Sequence, residues 1–173
     1  MKQKRGKIIL LFIVMATMGN ACVAQESNNG KELWAKSFLN KKAPKLVVEK
    51  WLTEEPETTG KFVLIDFWAT WCNPCLRFIP QLNAWHEKYK DDMVIIGISD
   101  ETEDVVKGLV NPEPLYYEAI DTKARTKSKL RVTGIPHAIL IDPHGVVRWE
   151  GFPFLQGNLL KEEVLEAIFE KYK

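Results

Sequence analysis

Asp66-Phe67-Trp68-Ala69-Thr70-Trp71-Cys72-Asn73-Pro74-Cys75 is the stretch that decides the fold. Upstream, Phe62-Val63-Leu64-Ile65 extends it into a near-continuous apolar run ending at Trp68, the pattern of a central strand covered on both faces. Downstream, Phe78, Leu82, Trp85 and Tyr89 recur at helical spacing, which predicts a helix from Cys72 to Tyr89 with one buried face. Two thiols three residues apart therefore sit where a buried strand hands over to a helix. A helix N-terminus offers unpaired backbone N–H groups and the positive end of the dipole, which favour thiolate and bring cysteine pKa values down to about 3.5–7.5. Cys72 is then the candidate nucleophile. Cys75, one turn on, is close enough to resolve a mixed disulfide formed on Cys72. Pro74 costs little in a first turn, whose N–H groups have no intrahelical partner.

Other chemistries of a Cys-x-x-Cys pair are a metal clip and a permanent structural disulfide. Zinc takes about four ligands, and His86, His137 and His144 supply neither a second Cys pair nor a paired-His spacing.

Outward from this motif the chain reads as alternating elements. Val94 to Ile98 is a second buried strand, so residues 62–98 form a βαβ crossover with parallel pairing. Lys45 to Leu52 is β-prone; Asp100 to Val110 is a short helix capped by Asp100, with the acids of 100–104 as a solvated start; Tyr116 to Ile120 is a strand and Thr122 to Leu130 a basic helix. Ala138–Asp142, the turn Pro143-His144-Gly145 and Val146–Glu150 make a hairpin, and Asn158 to Lys173 is a closing amphipathic helix. The expected fold class is α/β, with parallel and antiparallel strands in one sheet.

The chain has 173 residues, 24 basic against 23 acidic side chains and 46% hydrophobic residues, which excludes disorder and a small disulfide-stapled scaffold. Lys2, Lys4, Arg5 and Lys7 precede the apolar run Ile8–Met15 and small or polar residues through Ala24, the layout of a secretory signal. The remaining 20 basic and 23 acidic residues give no electrostatic footprint for nucleic acid. The expected organisation is a signal over 1–24, a polar tether over 25–42 and one domain over 43–173. Cleavage after Ala24 frees the domain, whereas Gly19-Asn20-Ala21-Cys22 loosely resembles a lipoprotein box and would place a lipid on Cys22. An uncleaved anchor is the third outcome, and all three export the domain to the periplasm or cell envelope.

The segment from Phe62 to Pro80 resembles the active-site segment of the thioredoxin superfamily, which has the same Asp, two Trp, Cys-x-x-Cys and later Pro at these separations. The leader, the early β segment and the insertion around 100–130 resemble the membrane-facing bacterial branch that includes the TlpA and ResA thiol-disulfide oxidoreductases. The resemblance covers about residues 43–172. It implies a thioredoxin-like fold, a central mixed β-sheet flanked by helices, and a Cys72/Cys75 dithiol-disulfide cycle on protein disulfides. It also implies a reductant fed by a membrane thiol donor, with no organic cofactor; from the ligand count above no metal is expected, and a monomer is expected. Phe78 departs from the ResA-like cytochrome-maturation enzymes, which carry an acid there, and Asn73-Pro74 departs from the Gly-Pro of ordinary thioredoxin.

Alternation places Asp66 among the large apolar groups of its strand, where desolvation raises its pKa. Its functional reading, which the resemblance shares, is a proton carrier for Cys75; its structural reading is a carboxylate satisfied by backbone. Trp71 reads as an exposed platform for partners and Trp68 as core. Gly134-Ile135-Pro136 precedes the hairpin, and in the resembled family this proline is cis and faces the thiols, so Ile135 would offer backbone groups to an extended substrate. His137 reads as a satisfied buried histidine, and Pro80 as a kink in the first helix. Two alternatives share the fold: a copper chaperone using Cys72, Cys75 and His137, against which the Cys spacing is too narrow, and a thiol peroxidase, for which Thr70 stands one residue too close to Cys72.

Overall fold

The apolar run quoted above lies at the middle of a six-stranded sheet in the computed structural model, which describes residues 33–173. The strands are β1 (Lys50–Trp51), β2 (Phe62–Trp68), β3 (Met93–Ser99), β4 (Tyr117–Ile120), β5 (His137–Ile141) and β6 (Val147–Gly151). The helices are α1 (Asn73–Lys88), α2 (Glu103–Lys107), α3 (Arg125–Lys129) and α4 (Glu162–Tyr172). The order across the sheet is β1-β4-β3-β2-β5-β6. β2 pairs in parallel with β3, as the crossover through α1 requires, and antiparallel with β5. Strands β5 and β6 form the expected hairpin, and β1 pairs antiparallel with β4 at the far edge.

Alternation along β2 divides the core. Phe62, Leu64 and Trp68 pack with Phe78, Ile79, Leu82 and Trp85 of α1 and with Leu165 and Phe169 of α4. Ile65 and Phe67 pack on the other side with Ile96, Ile98, Ile139, Leu130 and Val132. The spacing read in α1 is thus the spacing of its buried face. The helix runs through Pro80, which is exposed.

The hairpin turn is organised by a buried carboxylate. Asp142 accepts from the N–H groups of His144 and Val146, each at 2.9 Å, and from Arg148 Nε at 2.7 Å. Burial alone would push its pKa up, but the Val146 N–H and Arg148 hold it below the usual carboxylate value. Gly145 takes φ 74°, the left-handed conformation that closes the turn.

Several elements are shorter than the sequence pattern predicts. Of the β-prone stretch Lys45–Leu52, only Lys50 and Trp51 pair. At Val47 the Thr126 hydroxyl accepts from the backbone N–H and donates to the carbonyl, both at 2.8 Å, in place of a strand partner. α2 begins after Thr102 and not at Asp100, whose carboxylate pairs with Lys127 at 2.8 Å. The helix expected from Thr122 starts at Arg125, because Ala124 is left-handed and Asp121 accepts from the Arg125 N–H at 2.6 Å. Residues 33–42, read as the end of the tether, lie on the domain: Lys36 N–H donates to Leu130 O, Asn40 N–H to Val147 O, and Thr133 N–H to Trp34 O, each at 2.8 Å. Ser37 Oγ and Phe38 N–H donate to the buried Glu150 carboxylate. The signal read over 1–24, with Cys22, and tether residues 25–32 lie outside the described residues.

Gly97 of β3 marks a close approach. A methyl group there would lie 2.8 Å from Tyr116 Cε2 and 3.0 Å from Trp68 Nε1, both on buried rings. Gly97→Ala is therefore expected to destabilise the fold by about 1–3 kcal/mol, as overpacking of a core does. Urea unfolding checks this; an unchanged midpoint would show that the rings move aside freely.

Candidate active site

β2 delivers its chain to the top of the sheet at Trp68, and the next four residues turn it into α1. Cys72 N–H bonds Ala69 O at 3.1 Å, and Cys72 itself is the N-cap of α1 with extended backbone. Its Sγ accepts from the Cys75 N–H at 3.3 Å. The cap role usually taken by Ser or Asp is thus filled by sulfur, and no acid in the first turn offsets the positive helix end. Cys72 and Cys75 form a disulfide, with Cα atoms 5.2 Å apart. Cys75 is wholly buried, whereas Cys72 keeps 3% exposure.

Asp66 lies beneath, on the sheet face that α1 covers. Its neighbours in register are Gly97 on β3 and Ala138 on β5, and the same cross-sheet row runs on to Glu118 on β4 and Gly151 on β6. The row holds two carboxylates and otherwise nothing larger than a methyl group. Asp66 is fully buried, and neither carboxylate oxygen has a hydrogen-bond partner among the described residues. The backbone-satisfied reading of this carboxylate is thereby overturned. Desolvation pushes its pKa up to about 8. Tyr116, packed over Gly97, is raised well above its usual value by burial, with Asp66 and Glu118 adding to the shift. Glu118 is pushed up to about 7, by burial first and Glu113 second.

The remaining residues read from sequence frame the same end of the sheet. Trp71 is 69% exposed beside the thiols, while Trp68 is core. The Ile135–Pro136 bond is cis, and it leads directly into β5. His137 is buried on β5 opposite Phe67. Among the described residues no group of three or more His, Cys, Asp or Glu side chains could hold a metal ion, so the copper set of Cys72, Cys75 and His137 does not assemble.

Two features escaped the sequence. The Glu101 carboxylate, read as part of a solvated acidic run, accepts from Thr70 N–H at 2.6 Å, Thr70 Oγ1 at 2.7 Å and Ser99 Oγ at 3.1 Å. It clamps the turn two residues before the nucleophile. Trp34 stacks on Gly134, next to the cis-proline, and begins an aromatic chain through Phe152 and Phe154 to Phe78 at centroid distances of 5.8, 6.1 and 5.3 Å. Phe78, the departure noted above, is the buried end of that chain. Sequence separations of 31 residues for Glu101–Thr70 and about 100 for Trp34–Gly134 leave no local signal of either contact.

The chain's likeness to known proteins agrees with this geometry. A family model described as thioredoxin-like matches residues 60–147. The thiol-disulfide oxidoreductase ResA of Bacillus thuringiensis subsp. konkukian is 35% identical over 168 residues, covering 94% of this chain and 92% of that protein. ResA of Bacillus cereus is 32% identical over the same span. Among solved structures, a Chlorobium tepidum protein described as a thiol:disulfide interchange protein DsbE superposes with a TM-score of 0.66 at 28% identity, covering 78% of this chain and 98% of that one. A buried strand delivering a Cys-x-x-Cys disulfide to a helix start, in a mixed sheet flanked by helices, joined to these likenesses over most of the chain, places it in the thioredoxin-like family as a thiol-disulfide oxidoreductase.

Proposed function

We propose that this oxidoreductase works outside the cytoplasm as a reductant of protein disulfides, with Cys72 attacking, Cys75 resolving and Asp66 handling the proton. In the reduced protein the Cys72 thiolate attacks a substrate disulfide. A Cys72–substrate bond forms, the substrate bond breaks, and the leaving thiolate takes a proton. Asp66 then accepts the Cys75 proton, and the Cys75 thiolate attacks Cys72 Sγ. The second substrate sulfur leaves as a thiolate and takes up the proton held by Asp66, the Cys72–Cys75 disulfide forms, and two electrons have passed to the substrate. A thiol donor at the membrane restores the dithiol by the same exchange in reverse. The observation that carries this reading is the contrast between a slightly accessible Cys72 at a helix cap and a wholly buried Cys75 on the face that also buries Asp66.

Substrate docks beside Ile135 and Pro136, where extended backbone can be held in line with Cys72, and against Trp71. Trp71→Ala is expected to raise KM for a protein disulfide about tenfold, the loss of roughly 1–2 kcal/mol from an exposed aromatic anchor, with the reduction potential unchanged. A shifted potential with unchanged KM would assign Trp71 to the thiols and not to the partner. The basic-then-apolar leader over 1–24 supports export, with cleavage after Ala24 or lipidation at Cys22 deciding whether the domain is tethered. Among the described residues no helix is long and apolar enough to cross a membrane. All the proposed groups lie within one chain, which supports a monomer as the working unit. Reduction of insulin disulfides by the purified protein with dithiothreitol as donor tests the direction: catalysis well above the donor alone supports a reductase, and its absence with efficient oxidation of reduced proteins would reverse it.

A further inference from the structure

We propose that Glu101 is a positioning residue whose carboxylate both fixes the Thr70–Trp71 turn and sets the Cys72–Cys75 couple toward the reducing side. The inference rests on the Cys72–Cys75 redox reading. Its basis is a bidentate clamp on one residue: the Thr70 N–H reaches one carboxylate oxygen at 2.6 Å and the Thr70 hydroxyl the other at 2.7 Å. The wholly buried Ser99 holds the clamp from below, donating to the carboxylate at 3.1 Å and accepting from the Glu101 N–H at 3.2 Å. Loop and β3 are thereby tied together two residues ahead of the nucleophile. Neighbouring charges have other partners: Asp100 pairs with Lys127, and Glu103 with Lys50 and Lys107. Glu101 is bound by neutral donors, the Thr70 N–H, the Thr70 hydroxyl and the Ser99 hydroxyl, and among the described residues no cation pairs with it, so its charge is not cancelled by a bonded cation.

A fixed negative charge near the turn opposes thiolate on Cys72, whereas the helix start favours it. Opposing the thiolate destabilises the reduced protein, which therefore gives up its electrons more readily. The clamp also holds Trp71 and Cys72 in one arrangement for the partner.

Glu101→Gln separates the two roles. Its carbonyl can accept from Thr70 N–H and Ser99 Oγ while its amide donates to the Thr70 hydroxyl, so the contacts survive and the charge goes. The expected result is a shift of about tenfold in the exchange equilibrium with glutathione toward the dithiol, about 30 mV more oxidising for a two-electron couple, with faster alkylation of reduced Cys72 at neutral pH and an unchanged unfolding midpoint. Thr70→Val, which keeps the charge and the backbone bond, is expected to leave the equilibrium at its wild-type position. Glu101→Gln with wild-type equilibrium and alkylation rate overturns the inference, as does an equal shift in Thr70→Val. A wild-type protein with no reversible couple would instead overturn the redox reading itself.

Discussion

Cys75→Ser is expected to leave a protein that attacks a disulfide once and stops. Cys72, held as the cap of α1 with its sulfur accepting from the Cys75 N–H, keeps its slight exposure and its helix-start environment. It forms the mixed disulfide, but the serine hydroxyl cannot displace the substrate sulfur. Turnover should fall by about three orders of magnitude or more, and a one-to-one covalent adduct with a peptide disulfide should accumulate, visible by intact mass and released by dithiothreitol. Cys72→Ser should lose turnover equally but form no adduct, because Cys75 is wholly buried. The asymmetry between the two variants is the diagnostic result. An adduct on Cys75 in Cys72→Ser, or sustained turnover by Cys75→Ser, would contradict the assigned order of attack.

Asp66→Asn is expected to change both the pH dependence of stability and the resolving step. In the oxidised protein Asp66 titrates near pH 8, against 3.8 in an unfolded chain. Between these values the native state keeps a proton that the unfolded state has lost. Stability is therefore fully present below about pH 4 and is lost as pH rises toward 8, at roughly 1.4 kcal/mol per unit, on the order of 4–6 kcal/mol over the whole window. Asp66→Asn removes that slope. Glu118, pushed up to about 7, contributes a loss of the same sign, so the comparison is the difference between variant and wild type and not the wild-type curve alone. Unfolding measured from pH 4 to 8.5 should show the variant gaining on wild type as pH rises. Superimposable curves would mean that Asp66 is solvated in the native protein. For the resolving step, loss of a positioned base costs about 10²–10⁴-fold. Release of the second substrate thiol should slow by that factor while formation of the mixed disulfide by Cys72 continues. Equal slowing of both steps would assign Asp66 to the shape of the site and not to proton transfer.

Much of the site was legible because its chemistry is local in sequence. Cys72, Asn73, Pro74 and Cys75 fall within one helical turn, and the apolar run before them and the helical spacing after them are patterns of consecutive residues. Asp66 was legible for a related reason: strand alternation assigns it a face, and a face filled by Phe62, Leu64 and Trp68 is dry. The hairpin of β5 and β6 and the closing helix follow from the same kind of pattern. What escaped is what distant residues do to one another. Thr126 satisfies the backbone of Val47 and so takes a strand-like stretch out of the sheet, although β propensity there is high. Ala124 adopts a left-handed conformation that its own side chain does not favour, held by the Asp121 carboxylate on the following N–H. Glu101 stands in an acidic run whose composition reads as solvated, yet its carboxylate is committed to Thr70 and Ser99. Gly97 carries no signal of its own; the rings of Tyr116 and Trp68 give it meaning.

The Cys72–Cys75 couple is the centre of the account, and equilibration of the purified protein with graded dithiol and disulfide mixtures measures it directly, with Trp68 and Trp71 fluorescence as the signal. The account predicts a single reversible two-electron transition at a low, thioredoxin-like potential near −270 mV. A reversible transition at a strongly oxidising potential would contradict the reducing direction. No reversible transition at all would contradict the redox site.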